Sequence, residues 1–588
     1  MQKRPSANPA IPFTVGVTGH RNLSRVEEER IRPFLDEFLF SHAHKHPDLP
    51  IRLLSGMAEG ADRIVARVFI EVKKRLISEG HTEADKWQLI ATLPFAEEAY
   101  RNDFPESSAE FSELISAADD VVTITHQPLG DLQSNPDKRD DGYEAQGHYM
   151  LRHSHLIIAL WDGIHLDLRG GTSHVVRLKI SGHDNPDSPF LAQDCGPVYH
   201  IPVQRGEPAV GKNFAQPQLI FPTTFARGSE ELESLKCDLE GFNRSVRVYS
   251  DTDEIRKSIS YLAPDGESGA ALLNVWLERS FPFDRKLIDL YAAADTMAIR
   301  HDRLRIILLR ALYGCGVILA MSLWTGLDRI AQGWMIGFYL GALALIFALY
   351  TRLKQHDLSK GQLEYRLLAE ALRAQIYLRM LDGIIAEPEH LADDEDAQFF
   401  DSMVLDALLS QQAMEIGWVR EALRLCGMDK RPLRLSQQKR TQFINHWVNG
   451  QYRYFEKTER RYNTLHLKIR RLTIACAISG IVSAATVVWI DQNELSEIFR
   501  HVPSIAAATF PAVALLLESY KDRMAIEEQA KNAARMSAVF GRFKERVDGI
   551  GSDKMPSAGL VRALAQEALS ESVNWLILRR SKPAVLPT

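Results

Sequence analysis

Residues 155–172, HLIIALWDGIHLDLRGGT, constrain the fold more than any other stretch of the chain. An apolar run of strand-forming residues stops at Asp162–Gly163, and a Gly-Gly-Thr turn follows at 170–172. Such a run is typical of a parallel strand covered on both faces, and ligands of open α/β sheets bind beyond the carboxyl ends of these strands. The glycines allow close approach of a ligand, and we expect Thr172 to cap a helix whose N–H groups attract an anion. The alternative interpretation is an ordinary strand and turn without a ligand. Further motifs in the chain are needed to decide between the two.

Two upstream strand ends carry similar turns. Residues 13–17 (FTVGV) predict a strand followed at once by Thr-Gly-His-Arg at 18–21, where glycine permits a tight turn and Arg21 offers a fork of donors for phosphate. Residues 51–54 (IRLL) predict a second strand that ends in SGMAEGAD at 55–62, ahead of a helix. Three glycine-rich corners are therefore expected at the same edge of one sheet.

Strands alternate with helices along the first third of the chain, which favours a mostly parallel, doubly wound sheet. We expect a long loop over the functional edge at residues 126–147, which are rich in Asp, Pro and Gly, and no strand beyond Arg205. The sequence thus predicts an α/β, Rossmann-like domain with strands near 13–17, 51–54, 87–93 and 120–124, in the apolar run that stops at Asp162, and at 198–203.

These corners carry a resemblance to known families. SGMAEGAD resembles the SGxAxGxD signature of the bacterial DNA-processing protein A family, and the TGHR and GGT corners are similar to those of the wider SLOG superfamily. That superfamily includes the Lonely Guy phosphoribohydrolases and the amino-terminal domains of melastatin-type channels. The match covers about residues 11–205. With the strand end at Asp162 and Gly163, it implies a site for a nucleotide or nucleotide derivative formed by Thr18, Gly19, His20, Arg21, Ser55, Gly56, Glu59, Gly60, Asp62, Gly170, Gly171 and Thr172.

One departure from the family bears on catalysis. The related hydrolases carry a catalytic glutamate three residues after the threonine of a PGGxGTxxE motif, and Val175 stands at that position here. We therefore predict a binding site without catalytic residues; Glu59 and Asp62 are the only substitutes for the missing acid. The simpler interpretation of Glu59 and Asp62 is that they are acidic residues near the start of a helix, where the helix dipole stabilises negative charge. The histidines of the domain lack the spacing of a metal site, and none is expected.

The second half of the chain contains four apolar segments, each about long enough to span a bilayer. They form two pairs with short connections, which predicts two transmembrane hairpins. Trp324 and Trp489 occupy corresponding positions in the two pairs, as expected for a duplicated unit. Basic residues precede and follow each pair of segments, so the positive-inside rule predicts that both chain termini are cytoplasmic. The segments are residues 306–324, 333–350, 472–490 and 502–517.

Each hairpin is followed by a polar helix, and this arrangement resembles the SLATT family of two-transmembrane effectors in bacterial conflict systems. The resemblance implies a membrane effector of a bacterial defence system, gated by a cytosolic nucleotide signal such as a cyclic oligonucleotide or an ADP-ribose-like molecule, whose membrane part forms a pore or disrupts the bilayer. With the basic flanks, it predicts a multi-pass protein of the inner membrane. Four spans are too few to enclose a wide pore, so a homo-oligomer is expected. The alternatives are a membrane-tethered nucleotide or N-glycosidic-bond hydrolase and a constitutive scaffold or transporter.

Composition agrees with this division. The 588-residue chain has a net charge of −6, which gives no general attraction to nucleic acid. Its five widely spaced cysteines are expected to be reduced packing residues. The predicted order is a nucleotide-binding domain at 1–210, a connection at 211–283, a first hairpin and stalk at 284–385, a cytosolic connection at 386–454, a second hairpin and stalk at 455–550, and a tail at 551–588.

Overall fold

The structure, a computed structural model, divides by its internal contacts into two units. The first unit comprises Met1–Asp251, Phe281–Asp289 and Leu409–Arg431, and the second comprises Thr252–Ser280, Leu290–Leu408 and Pro432–Thr588. The residues described by the structure are 10–125, 135–166, 169–182, 195–205, 216–249, 253–262, 282–327, 333–355, 358–379, 417–426, 436–493, 497–550 and 556–580.

A seven-stranded sheet in the order β4-β3-β2-β1-β5-β6-β7 forms the centre of the first unit. All neighbouring strands are parallel except β6 and β7, which are antiparallel. Every residue of β2 and β5 is buried, as expected for strands covered on both faces. The strands are β1 (Phe13–Gly19), β2 (Ile51–Ser55), β3 (Gln88–Leu93), β4 (Asp120–Thr123), β5 (Leu156–Trp161), β6 (Val198–Pro202) and β7 (Gln218–Ile220).

The six predicted strands and the mostly parallel sheet are confirmed, but the expectation of no strand beyond Arg205 is wrong. Strand β7 has only three residues, two of them exposed, and pairs with β6 from Val198 to His200. A strand this short and polar has no hydrophobic periodicity to reveal it, because its stability depends on backbone pairing with β6.

Helices cover both faces of this sheet. Among the early helices, α2 packs against α1 and α4, whereas α5 packs against α6. Tyr149 of α5 lies in one cluster with Leu54 and Ile90, and Val175 of α6 lies in another with Ile157. The helices of the first unit are α1 (Arg25–Lys45), α2 (Ala61–Ser78), α3 (Glu97–Arg101), α4 (Ser108–Ala117), α5 (Pro136–His153), α6 (Thr172–Ser181), α7 (Ser229–Tyr249) and, later in the chain, α12 (Gly417–Cys426).

The long loop predicted at residues 126–147 is wrong over its second half. Helix α5 begins at Pro136, and the side chain of Asn135 caps it by accepting a hydrogen bond from the Asp137 N–H at 3.0 Å. The polar residues that suggested a loop are the capping residue, a first-turn proline and the solvent-facing side of a helix. Residues 126–134 lie outside the described part of the chain.

The second unit is helical, and its long helices occur in two similar series. In each series a long helix is followed by an apolar helix and then by a more polar one. The first series is α9 (Pro282–Leu327), α10 (Gly333–Gln355) and α11 (Leu358–Leu378); the second is α13 (Gln437–Gln492), α14 (Glu497–Arg523) and α15 (Ile526–Ile550). The short helix α8 (Asp253–Ser260) precedes them, and α16 (Ala558–Arg580) follows.

Two helical stretches of the second unit, Gln437–Gln492 and Phe499–Gly549, are long and apolar enough to cross a membrane. Only 17% and 6% of their most apolar windows are buried, whereas the core helix of a soluble protein is buried over most of its length. Ile481 and Leu515 are exposed by 71% and 74%. In the first series, the described apolar stretch Tyr339–Arg352 is shorter than a span, although Leu340 and Phe347 are also exposed.

The apolar parts of α13 and α14 pack closely at one glycine. A Cβ atom on Gly480 would lie 2.8 Å from ring atoms of Pro511, so only glycine permits this contact. By contrast, a Cβ on Gly337 or Gly341 of α10 would meet no atom within 4 Å. These two glycines of α10 are therefore not in close contact with another described helix of the same subunit.

A network of charged side chains that are mostly shielded from solvent lies among the polar helices of this unit. Arg373 of α11 donates to the Tyr291 hydroxyl at 2.8 Å and to Glu370 at 2.8 Å, and it lies 3.8 Å from Asp295. The Ser258 hydroxyl donates to Asp295 at 2.8 Å. Burial raises the pKa of Asp295, although Arg373 and Ser258 favour its ionised form. Because charges taken out of water need partners, Arg373 joins α8, α9 and α11.

We predict that Arg373→Met destabilises the helical unit by about 3 to 5 kcal/mol, because Asp295 and Glu370 lose their buried counter-ion. Denaturant unfolding of the purified chain in detergent measures this change. The control is Arg535→Met, which breaks a half-exposed pair with Glu567 and is expected to cost under about 1 kcal/mol. Equal losses in the two variants would contradict a structural role for the buried network.

Candidate functional site

The three glycine-rich corners meet at the point where the strand order of the sheet changes direction. From β1 the chain proceeds outwards through β2, β3 and β4, and then returns to place β5 on the other side of β1. Such a switch point leaves a crevice beyond the carboxyl ends of the two diverging strands, where ligands of α/β sheets bind. Because β2, β1 and β5 are adjacent and parallel, their following turns lie side by side.

The β1 corner is held tightly by its neighbours. Thr18 and Gly19 are the last residues of β1, and a Cβ on Gly19 would lie 2.4 Å from Ala61 Cβ and 2.7 Å from the Leu160 oxygen. The His20 N–H donates to that oxygen at 3.1 Å, while the His20 carbonyl accepts from the Ala61 N–H at 3.0 Å. Glycine is therefore required where the ends of β1 and β5 meet the start of α2.

The β2 corner fits over the β1 corner. Gly60 has φ of 76°, and a Cβ there would lie 2.2 Å from the Arg21 oxygen, so both its conformation and its space require glycine. Ser55 ends β2; its hydroxyl donates to the Asp62 carbonyl at 3.1 Å and accepts from the Met57 N–H at 3.2 Å. Gly56 begins the turn and lies beside the Asp62 side chain.

The two acids of this corner are occupied by protein contacts. Asp62 is buried and accepts a hydrogen bond from the Ala58 N–H at 3.3 Å. Burial raises its pKa to about 7, although the Ala58 N–H, Arg21 and Arg63 favour the ionised form. Glu59 accepts a hydrogen bond from the Ser107 hydroxyl. Both carboxyl groups therefore stabilise the turn, which favours the simpler of the two interpretations offered by the sequence.

The β5 corner differs from the prediction at one residue. Helix α6 begins at Thr172, and the capping position belongs to Gly171, which makes no side-chain hydrogen bond. Thr172 is therefore the first helical residue and does not cap the helix. The Gly170 N–H instead donates to His174 Nδ1 at 3.1 Å, and the Leu166 N–H donates to the Ser173 hydroxyl at 3.1 Å. A helix start of this kind has N–H groups without partners inside the helix.

A polar cluster of His20, Asp162 and Arg205 occupies the space between the β1 and β5 corners. Arg205 Nε lies 2.9 Å from Asp162 Oδ2 and 3.3 Å from His20 Nε2. His20 Nε2 also lies 3.1 Å from Asp162 Oδ1 and accepts from the Asp162 N–H at 3.1 Å. Gly163 follows Asp162, whose carboxylate accepts from the Ile164 N–H at 3.0 Å. Three neighbouring strand ends thus supply one residue each.

Electrostatics favour a neutral histidine beside an ionised aspartate in this cluster. Burial lowers the pKa of His20; Asp162 opposes this effect, and Arg205 adds to it. Burial would raise the pKa of Asp162, but the Ile164 N–H, His20 and Arg205 together lower it. A neutral His20 accepts at Nε2 from the two N–H groups that point at it. The cluster therefore holds one carboxylate against one guanidinium.

Arg21 is a second cation at the same edge. Its side chain is exposed, and its guanidinium lies 5.3 Å from the centre of the Tyr143 ring and 5.6 Å from that of Phe104. No carboxylate of the described residues lies within ion-pair distance of Arg21. The Tyr143 hydroxyl also accepts a hydrogen bond from Arg21. These contacts orient the guanidinium without neutralising it, which leaves its remaining donors for an anion.

Sequence patterns did not reveal Arg205, Tyr143 or Phe104 as parts of this edge. Arg205 lies three residues after the end of β6, whereas His20 and Asp162 come directly after β1 and β5. Its position after a predicted strand was therefore a signal from which it could have been found. Tyr143 lay in the segment taken for a loop, and Phe104 lies between α3 and α4. Their proximity to Arg21 depends on long-range packing, which local patterns do not contain.

Comparison with other proteins adds no assignment. Neither the models of known protein families nor the curated proteins match this sequence.

The raised pKa of Asp62 predicts a pH-dependent stability. Because the folded pKa of about 7 exceeds the ordinary value of 3.8, protonated Asp62 favours the folded state at low pH, and this contribution is lost as the pH rises from 3.8 to about 7. Over that pH range the free energy of unfolding should fall by on the order of 2 to 4 kcal/mol in the unmodified protein. Asp62→Asn should abolish this decrease, because asparagine does not titrate. Thermal unfolding at a series of pH values measures it.

Asp36→Asn is the matched control for this experiment, because it removes a carboxylate that pairs with Arg75 at 3.3 Å on the outside of the same unit. We expect the control to keep the pH dependence of the unmodified protein. If Asp62→Asn keeps that dependence as well, Asp62 is ionised throughout the range and the assigned pKa is wrong.

Proposed function

We propose that the first unit binds a nucleotide-derived ligand through its phosphate groups at the switch point between β1 and β5. The observation that carries this proposal is the convergence of Arg21, Arg205 and the start of α6 on one crevice, beside turns that keep the backbone accessible. Guanidinium groups and helix starts are both favourable environments for phosphate. The resemblance of the three corners to the SLOG superfamily supports the same ligand class.

Binding is favoured over hydrolysis by the positions of the acids. Val175, at the place of the hydrolase glutamate, is buried against the sheet together with Ile157 and Val198. Asp62 and Glu59, the possible substitutes, are engaged by Ala58 and Ser107. A general acid or base must reach the substrate, and these contacts hold both carboxyl groups within the turn. Formation of a product from bound nucleotide would instead support the hydrolase alternative.

Gly171→Val tests the location of the site. Gly171 has φ of −75° and ψ of 164°, an extended conformation that valine readily adopts, so the variant should fold. Its side chain should obstruct the start of α6 and weaken ligand binding by more than about tenfold, because the backbone N–H groups become inaccessible.

A thermal-shift screen of the full-length protein first identifies the ligand among cyclic oligonucleotides, ADP-ribose derivatives and ordinary nucleotides. Calorimetry then compares Gly171→Val with Gly241→Val, a control at a helical glycine with no atom within 4 Å of a new Cβ. Equal affinities in Gly171→Val and the unmodified protein would place the site elsewhere.

We propose further that the helical unit is a four-span membrane effector that responds to this ligand and acts as a homo-oligomer. Support comes from the exposed apolar surface of α13 and α14 and from the similar surface on α10. The repetition of the helix series supports a duplicated hairpin. No described residue of the same subunit lies within 4 Å of a Cβ placed on Gly337 or Gly341, which leaves that face of α10 accessible to another copy.

Cysteine labelling tests the proposed inner-membrane topology. In a variant without native cysteines, Asn493→Cys lies after α13 at the predicted outer surface, and Arg460→Cys lies on the predicted cytoplasmic part of the same helix. An impermeant maleimide added to intact cells should label position 493 and not position 460, because α13 crosses the bilayer between them. The opposite pattern would invert the topology.

Liposomes that contain the purified protein test the effector activity. The ligand from the screen should cause dye release, and Gly480→Leu should reduce that release because the larger side chain separates α13 from Pro511, at a cost on the order of 1 to 3 kcal/mol. The control Gly549→Leu changes a glycine with no atom within 4 Å of a new Cβ. A tightly bound ligand that causes neither dye release nor ion current would contradict the effector proposal.

A further inference from the structure

We propose that Arg205 is the residue that contacts the ligand's phosphate, and that Asp162 and His20 hold its guanidinium in position for this contact. The proposal rests on the binding function above and adds a residue that lies outside the three glycine-rich corners. It assigns different roles to the members of the polar cluster: Arg205 touches the ligand, while the other two are positioning residues.

The geometry separates the two sides of the guanidinium. The ion pair and the hydrogen bond that Arg205 makes with described residues both use Nε, at 2.9 Å to Asp162 Oδ2 and 3.3 Å to His20 Nε2. Neither terminal nitrogen bonds to a residue in the described part of the chain. The side chain is 47% exposed, whereas that of Asp162 is only 12% exposed. The Arg205 guanidinium is thus held at Nε, while its two terminal nitrogens face solvent.

This arrangement suits a phosphate group. A guanidinium carries five N–H donors in a planar fork, and four remain after Nε has been used. Two parallel donors match two oxygens of one phosphate, and a plane that is already oriented loses less conformational entropy on binding. Asp162 supplies that orientation through a largely buried carboxylate. Lysine could not keep the Asp162 contact and also present two donors in a fixed geometry.

Arg205 is close to the other proposed phosphate contacts. Its Nε contacts His20, which follows β1, and Asp162, which follows β5, so it lies at the switch point itself. Arg21 is the next residue after His20 and is stacked on Tyr143 at the same edge. One cation is therefore held by aromatic rings and the other by a carboxylate, and both border one crevice.

Chemical footprinting with inorganic pyrophosphate as the probe tests the assignment on the full-length protein in detergent. Phenylglyoxal modifies accessible arginines, and mass spectrometry measures the modification rate at each position. We expect pyrophosphate to slow modification of Arg205 and Arg21 at least about threefold, because bound phosphate covers their donors. Arg227, which is 73% exposed and lies on the surface of the same unit, is the control and should react at an unchanged rate.

The outcomes separate this inference from the function on which it rests. Protection of Arg21 without Arg205 would overturn the assignment of Arg205 and leave the phosphate site in place. Protection of neither arginine would overturn both proposals. Protection of Arg227 to the same extent would show non-specific shielding by the anion, which also counts against the assignment.

Variants test the separate roles. Arg205→Met and Arg205→Lys should each weaken pyrophosphate binding by about 10-fold or more, because lysine does not restore the fork. Asp162→Asn should weaken binding in the unmodified protein but have no further effect in Arg205→Met, since its role is to orient Arg205. If Asp162→Asn costs the same affinity in both backgrounds, Asp162 does not act through Arg205. If Arg205→Lys binds pyrophosphate as tightly as the unmodified protein, the positive charge alone explains binding and the proposed role of the guanidinium fork is wrong.

Discussion

The first unit depends on the close approach of three backbone turns that have no room for side chains between them. Gly19 lies against Ala61 and the end of β5, and Gly60 lies against the Arg21 carbonyl. Any larger residue would displace β1 from its neighbours at the point where their carboxyl ends meet. The His20 N–H and carbonyl join β5 and α2 across the same point. The main chain itself is therefore packed tightly at the switch point between β1 and β5.

Charge is arranged around this packing in two ways. Asp62 is enclosed within the β2 turn, where burial raises its pKa to about 7. Asp162 stays ionised, because Arg205 and local N–H groups compensate for its burial. The pKa values of the two carboxyl groups, which follow strands on either side of β1, are thus shifted in opposite directions.

The second unit differs in how its polar and its apolar helices are packed. Its polar helices bury a charged network around Arg373, whereas α13 and α14 expose large apolar side chains that water does not favour. Within that apolar pair, Gly480 and Pro511 form a close contact, while the glycines of α10 remain open. A bilayer for the apolar surface and further copies of the chain for α10 would complete the packing, in agreement with the effector proposal.

The sequence by itself determined six of the seven strands, the glycine turns after three of them and the long apolar helices, because local hydrophobic periodicity and glycine at strand ends specify these features. It missed β7, placed a loop where α5 begins, and made Thr172 a capping residue. Tertiary structure decided which acids are buried and that Arg205 joins His20 and Asp162. Those properties depend on contacts between residues far apart in the chain, such as the 142 positions between His20 and Asp162. Local patterns cannot encode distances that only the folded sheet creates.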